Sequence, residues 1–408
     1  MKTYIKSKVL LTGLLLFVVT AIVGITLSVW TSRVTKAEPQ NRAATDRLVV
    51  HEWGTFTSIA GKNGIALDWR PLNGSSDLPK FVYTISDKDR RPREVPLKSQ
   101  LRALVRMETP ILYFYSGSEM EVDVRVDFPN GKITEWYPQA RSTGAAIDWG
   151  RITIMPGAAL NLPVDSTDSH YYPARETDAA PVQVRGTEGQ PTQQEKFLFY
   201  RGVASFDLPL SVRLEQGRVL LQNRAKNEIT NLVVFENRGG KIGYRLINAF
   251  TGQRSIERPA LNGDLESLVV ELKQVLVASG LYLKEAEAMI KTWRKSWFEE
   301  GMRVFYILPR QITDAVLPLT IEPRANELVR VLVGRTEVIT PEMEKQVQSQ
   351  VSLLGDPSPQ VRETALQNIR KYGRFSEPIL MGILENEKDA VIRQRIQELI
   401  AKVGEKAG

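Results

Sequence analysis

The chain reads as a mixed-class protein with an N-terminal single transmembrane helix, a β-sandwich-like antiparallel body carrying an inserted helical hairpin, and an all-helical C-terminus. Three observations predict this: an uncharged apolar run over residues 9–30, period-two alternation punctuated by turns across 48–261, and period-3.6 patterning beyond Pro341.

Composition removes most specialised classes. The 408 residues include no Cys and two His, with 25% charged and 42% hydrophobic residues. That excludes zinc-thiolate sites, Cys nucleophiles and iron-sulfur ligation, all of which need a thiolate. The formal charge is +7, from 54 Lys and Arg against 47 Asp and Glu, and Lys2, Lys6 and Lys8 supply three of those cations, leaving 51 against 47. A residue of +4 spread over the body is no nucleic-acid footprint.

The N-terminal segment MKTYIKSK precedes VLLTGLLLFVVTAIVGITLSVW, 22 residues without a charge. As a helix that run spans roughly 30 Å of hydrocarbon, whereas the apolar part of a signal peptide is about 7 to 15 residues. Residues 1–30 are therefore expected to be a retained signal anchor in the cell inner membrane, single-pass, with the body on the extracytoplasmic side and Trp30 at the interface. Cleavage after Thr35-Lys36-Ala37 is the alternative. Residues 31–46 are polar and aperiodic, a tether.

Residues 47–340 form the expected β-rich body. Met120, Val122, Val124, Val126 and Phe128 alternate with charged residues, and Pro129-Asn130-Gly131 supplies a hairpin turn before Ile133. Strand starts at 210, 218, 229 and 241 are spaced 8, 11 and 12 residues apart, the spacing of antiparallel sandwiches. Residues 173–196, rich in Pro, Thr, Glu and Gln, read as a long loop or a boundary between two β subdomains. A helical hairpin follows: Leu265, Leu268, Leu272 and Leu276 form one stripe after Asp264, and Ala286, Met289, Ile290, Trp293 and Trp297 another.

Residues 341–408 are helical by pattern. Val361-Arg362, Ala365, Ile369 and Gly373 recur 31 residues later as Ile392-Arg393, Ile396, Ile400 and Gly404. Over 356–404 this segment resembles HEAT-like repeats, which implies stacked helix pairs. Its ten basic and ten acidic residues cancel, favouring contact with protein over polyanions.

Three blocks stand out in the body: HEWGTFT (51–57), HYYPARETDA (170–179) and EKFLFYRG (195–202). Over 48–340 the chain resembles exported bacterial proteins that carry an HEWGTFT segment. That resemblance implies location and shape rather than chemistry. Adjacent strand residues point to opposite faces, so His51 and Glu52 do not face one another on a regular strand.

Two functions from different classes are expected. The leading one is a non-catalytic binding or scaffolding role with a protein partner, the β-rich body and the helical array offering surfaces, with no nucleic acid, no cofactor and the membrane contacted through 9–30. The alternative is an exported hydrolase, metal-assisted and glycan-directed, whose candidate residues are His51, Glu52, His170, Arg175 and Asp178. A two-His-one-carboxylate set for a divalent metal would be His51, His170 and Asp168. Glu299, Glu300, Arg303, Arg310 and Asp314 form a further charged group, read as a solvated face. Trp53, Trp69, Trp136, Trp149, Tyr171 and Tyr172 could stack on sugars, though hairpin and core packing is the favoured reading.

Overall fold

A computed structural model describes residues 47–72, 77–85, 101–165, 168–186, 189 and 191–402. The expected anchor at 1–30 and tether at 31–46 lie outside the described residues. In chain order the strands are β1 (Val49–Ala60), β2 (Tyr83–Thr84), β3 (Val105–Tyr115), β4 (Met120–Asp127), β5 (Gly131–Tyr137) and β6 (Ser142–Thr143). There follow β7 (Ala146–Ile154), β8 (Val182–Val184), β9 (Gln193–Glu195), β10 (Leu198–Ala204), β11 (Leu210–Glu215) and β12 (Arg218–Asn223). The last six are β13 (Ile229–Arg238), β14 (Lys241–Phe250), β15 (Gln253–Glu257), β16 (Gly301–Ile307), β17 (Leu319–Glu322) and β18 (Glu327–Val338).

The principal sheet has nine strands in the order β14-β13-β16-β18-β1-β3-β10-β5-β2. Two smaller sheets, β11-β12-β15 and a second built on β17-β4-β7-β8-β9, cover one of its faces. The body is not the antiparallel sandwich expected from strand spacing. Its central pair, β1 and β18, runs parallel, Val49 opposite Glu327 through Ala60 opposite Val338, which makes the sheet mixed. Alternation and turn residues report strands and the hairpins that join neighbours; pairing across 278 residues leaves no local trace.

Alternation along β1 sends Val50 and Phe56 into the layer between the sheets, and Trp53 and Ile59 to the other face. Each such buried aromatic or branched side chain contributes about 1.5 to 3 kcal/mol by leaving water. The opposite face is covered by helices. The hairpin α1 (Leu265–Ala278) and α2 (Leu283–Trp297) starts at Asp264, whose carboxylate accepts from Ser267 N at 2.8 Å. It turns at Gly280, φ +114°, a left-handed position that favours glycine after a helix. Glu285 accepts from the Tyr282 backbone N–H at 2.7 Å and closes the first turn of α2. The apolar stripes Leu268, Leu272, Leu276 and Met289, Trp293, Trp297 then bury against β13, β16 and β18.

After a short α3 of about two turns (Arg310–Val316) come α4 (Pro341–Ser352), α5 (Pro359–Arg370), α6 (Ser376–Asn386) and α7 (Ala390–Lys402). They close a third apolar layer with Ile59 and Trp69 of the body. The recurrence in sequence has a physical counterpart: Arg362 donates to the carbonyls of Asp356 and Pro357, and Arg393 to those of Leu384 and Glu387. Within 173–196 the chain forms a 3-10 turn at Tyr172–Arg175 and the short strands β8 and β9.

Among the described residues no helix is long and apolar enough to cross a membrane. The longest, α2, has 15 residues and a charged outer face, against about 20 apolar residues for a span. The expected single-pass inner-membrane location rested on residues 9–30, outside the described residues, and the described residues do not support it.

Candidate functional site

The three sequence blocks meet where the principal sheet is irregular. Between Trp53–Ile111 and Thr55–Glu108 the register of β1 and β3 slips, so that Gly54 faces both Thr109 and Pro110. The same level is irregular between β3 and β10, from Phe199–Ile111 to Gly202–Met107, and between β10 and β5, where Thr134 is the extra residue. Bulges bend strands and re-aim side chains, and they concentrate near functional sites. Gly54 is required here, because a Cβ would sit 2.9 Å from Pro110 Cα and 3.0 Å from its N. Thr109 adopts φ +45°, a costly conformation for a β-branched residue.

These bulges turn charges onto the helix-facing side. Thr55 lies opposite Glu108, Thr57 lies between Arg106 and Arg335, and Arg201 lies opposite Glu135. Arg303 pairs in register with Glu337. The result is a band of charge across β5, β10, β3, β1, β18 and β16, between the apolar layer under α1 and α2 and the one under α4–α7.

At one end Glu337 is fully buried and gathers three guanidinium groups: Arg303 at 3.0 Å, Arg335 in close contact and Arg374 at 3.5 Å. Burial alone would raise its carboxyl, but Arg303, Arg335 and Arg374 outweigh it and bring it to about 2. Burial presses Arg335 down to about 10 against the attraction of Glu337. Glu299 bridges Arg335 at 3.0 Å and Arg374 at 2.8 Å. The end of α2 completes the shell, with Trp297 O and Glu299 O accepting from Arg303 at 2.8 and 2.7 Å. Helix C-termini hold unpaired carbonyls and partial negative charge, so arginines settle there.

At the other end Arg201, 1% exposed, donates to Asp77 at 2.8 Å and lies 3.2 Å from His170 Nε2. Burial, and then Arg201, hold the His170 imidazole at about 4, although Asp77 pulls the other way. The ring is therefore neutral at neutral pH, Nε2 accepting from Arg201 and the proton on Nδ1. Desolvation pushes the Asp77 carboxyl up, and Arg201 followed by Arg106 reverses that to well below the usual range. Glu108 is likewise lowered despite burial, by Arg106 first and then Arg335, Arg374 and Arg201, so it responds to both ends of the band.

The candidates from sequence fall in separate places. His51 Nδ1 meets Glu285 at 2.8 Å, between the rings of Tyr115 and Tyr282. Glu52, on the opposite face, binds Arg330 at 2.6 Å and Tyr200 at 2.5 Å. His170 packs at a tilt on Trp293, which lies eight residues, about 12 Å of helix, along α2 from Glu285, the partner of His51. Arg175 pairs with buried Glu195 at 2.7 Å and lies over Tyr172. Asp178 pairs with Lys284 at 2.5 Å, and Asp168 with Lys295 at 3.2 Å, both exposed. His51, His170 and Asp168 do not converge, and among the described residues no group of three or more His, Asp or Glu is placed to hold a metal ion. Trp53, Trp69, Trp136, Trp149 and Tyr171 are buried, so none offers a face to a sugar.

Sequence reading missed Arg106, Glu108, Arg201, Arg335, Glu337 and Arg374. A signal was present in the strands: VRME, GMRVFYI and VLVGRTEV carry charges inside runs whose remaining positions suit a core. The group read as a solvated face was half misjudged, since Arg303 is fully buried while Arg310 and Asp314 pair at the surface.

The band opens into a cleft of about 700 Å³ between the body and α4 and α5. Glu299 and Arg374 belong to both, and Asn237, Gln346, Gln350, Asn368, Tyr372 and Phe375 are among the other lining residues. A second hollow of about 860 Å³ flanks the other side of α4, lined by Leu67, Ile339, Ile379 and Met381.

No family model matches the chain, and no curated protein does. Solved structures similar to it include the yeast delta-COP-I mu-homology domain, alone and complexed with Dsl1 WxWxV peptide. They are 8% and 7% identical, each over 73% of this chain and 100% of that chain, with a TM-score of 0.29 in both cases. A likeness of that size supports neither a fold assignment nor a function.

Proposed function

We propose that the chain is a binding protein whose cleft of about 700 Å³ receives an extended polypeptide segment of a protein partner. The observation that carries this reading is the cleft's lining. Its four carboxamides, Asn237, Gln346, Gln350 and Asn368, lie beside the rings of Tyr372 and Phe375 and can donate and accept as a peptide unit does. Asn368 donates to Gln350 at 3.1 Å and Tyr372 to Gln346 at 2.6 Å, bonds that a bound segment would exchange for its own. Asn237 Oδ1 is buried and accepts no hydrogen bond. Four acidic and four basic side chains balance one another around the cleft, which favours a polar segment of little net charge. Arg303, Arg335, Glu337 and Arg374 tie the body to the α5–α6 turn beneath it and hold the walls in register.

The test is selection of linear peptides from a displayed library on the full chain. Selected peptides should lose at least tenfold in affinity, about 1.4 kcal/mol, on Asn368→Ala and on Tyr372→Ala, and nothing on Lys295→Ala. No enrichment, or binding indifferent to the cleft substitutions, rejects the reading.

A further inference from the structure

A smaller hollow of about 370 Å³ lies at the opposite end of the helix-facing side, between the end of β3, the loop at 156–160 and residues 177–181. Lys196 lines it together with Tyr115 and Asp178. The residue is held from both sides. Glu195 is buried on Arg175 and Tyr171 and also accepts from the Lys196 backbone N–H at 2.8 Å, while Phe197 is buried in the core. With its neighbours anchored inward, the Lys196 side chain is directed into the hollow.

Its surroundings set it apart from the lysines of α2. Lys284, Lys291 and Lys295 each engage an acid of the 168–178 segment: Asp178, Glu176 and Asp168 respectively. Lys196 forms no ion pair among the described residues, although it is more buried than any of them. Removal from water disfavours its charged form, and Lys284 adds repulsion, so the ammonium sits below the usual lysine range even with Asp178 and Glu195 nearby.

We infer that this hollow is a site for a small aldehyde or ketone, which Lys196 engages as an imine. Nζ, once it has given up its proton to solvent, attacks the carbonyl carbon and forms a carbinolamine. The carbonyl oxygen then leaves as water, taking both amine hydrogens, and a C=N bond remains; no electrons are exchanged with an outside donor. A volume of about 370 Å³ admits a molecule of metabolite size.

The experiment uses butanal as probe and sodium cyanoborohydride to reduce imines as they form, with the modified lysines mapped by mass spectrometry on the intact fold. Lys196 should be labelled at least tenfold faster than Lys295, whose side chain is 93% exposed, and its labelling should saturate with butanal concentration. Lys196→Arg should abolish the saturable phase. Labelling that follows exposure, or fast labelling of Lys196 that stays linear in butanal, overturns the inference. The mapping on the unaltered protein decides the matter without reliance on the variant.

Discussion

The two faces of the nine-stranded sheet are built differently. Toward the smaller sheets the strands present an apolar layer interrupted by the Glu52–Arg330 pair with Tyr200. Toward the helices they present a band with Arg106, Glu108, Glu135, Arg201, Arg303, Arg335 and Glu337. A facing sheet offers mainly side chains to a buried charge, because its backbone groups are already paired within the ladder. A helix end offers unpaired carbonyls, which Arg303 takes from Trp297 and Glu299, and Arg335 from Ser296. At the Glu337 end of the band, buried charge therefore sits where a helix terminates.

The largest effect that would probe this contrast is removal of the central anion. Glu337→Ala leaves buried Arg303 with helix-end carbonyls alone and Arg335 with Ser296 and Glu299, and chemical denaturation should show a loss of about 3 to 5 kcal/mol. Arg330→Ala on the other face leaves Glu52 with Tyr200 and belongs to the same range. A Glu337→Ala cost well below that of Arg330→Ala would mean that the groups at the end of α2, the Glu299 carboxylate among them, suffice without Glu337.

Next in size is a pH effect. His170 titrates at about 4 when folded and near 6.5 when unfolded, so below 6.5 the unfolded chain binds the extra proton. Stability is therefore full above about 6.5 and falls as the pH drops toward 4, by ~3 kcal/mol at most. His170→Gln should flatten the stability curve within that window. The depressed Glu337 acts lower: its contribution is present above the ordinary glutamate value and disappears as the pH approaches about 2. The smallest effect is expected at the rim. Lys295→Ala removes an ion pair whose side chains are 93% and 94% exposed and should alter the melting temperature negligibly.

Much of the local structure was legible in the sequence. The Met120–Asp127 alternation is β4, and the leucine stripe from Leu265 and the Trp-bearing stripe are α1 and α2. Opposite facing of His51 and Glu52 followed from the strand period, and they indeed serve separate networks. The parallel β1–β18 pair was not legible, nor was the charged band, because Arg335 reads as one more strand residue until Thr57 and Arg374 are placed around it. His170 and Arg201 are 31 residues apart and become partners only through the fold.

The order of residues was sufficient to specify strand faces, helix stripes and caps, since these depend on interactions within a few positions of the chain. Tertiary structure alone decided which strands became neighbours and which charges share a low-dielectric space. Those outcomes depend on contacts between distant segments, as with Gly54 admitting Pro110 and the end of α2 receiving Arg303.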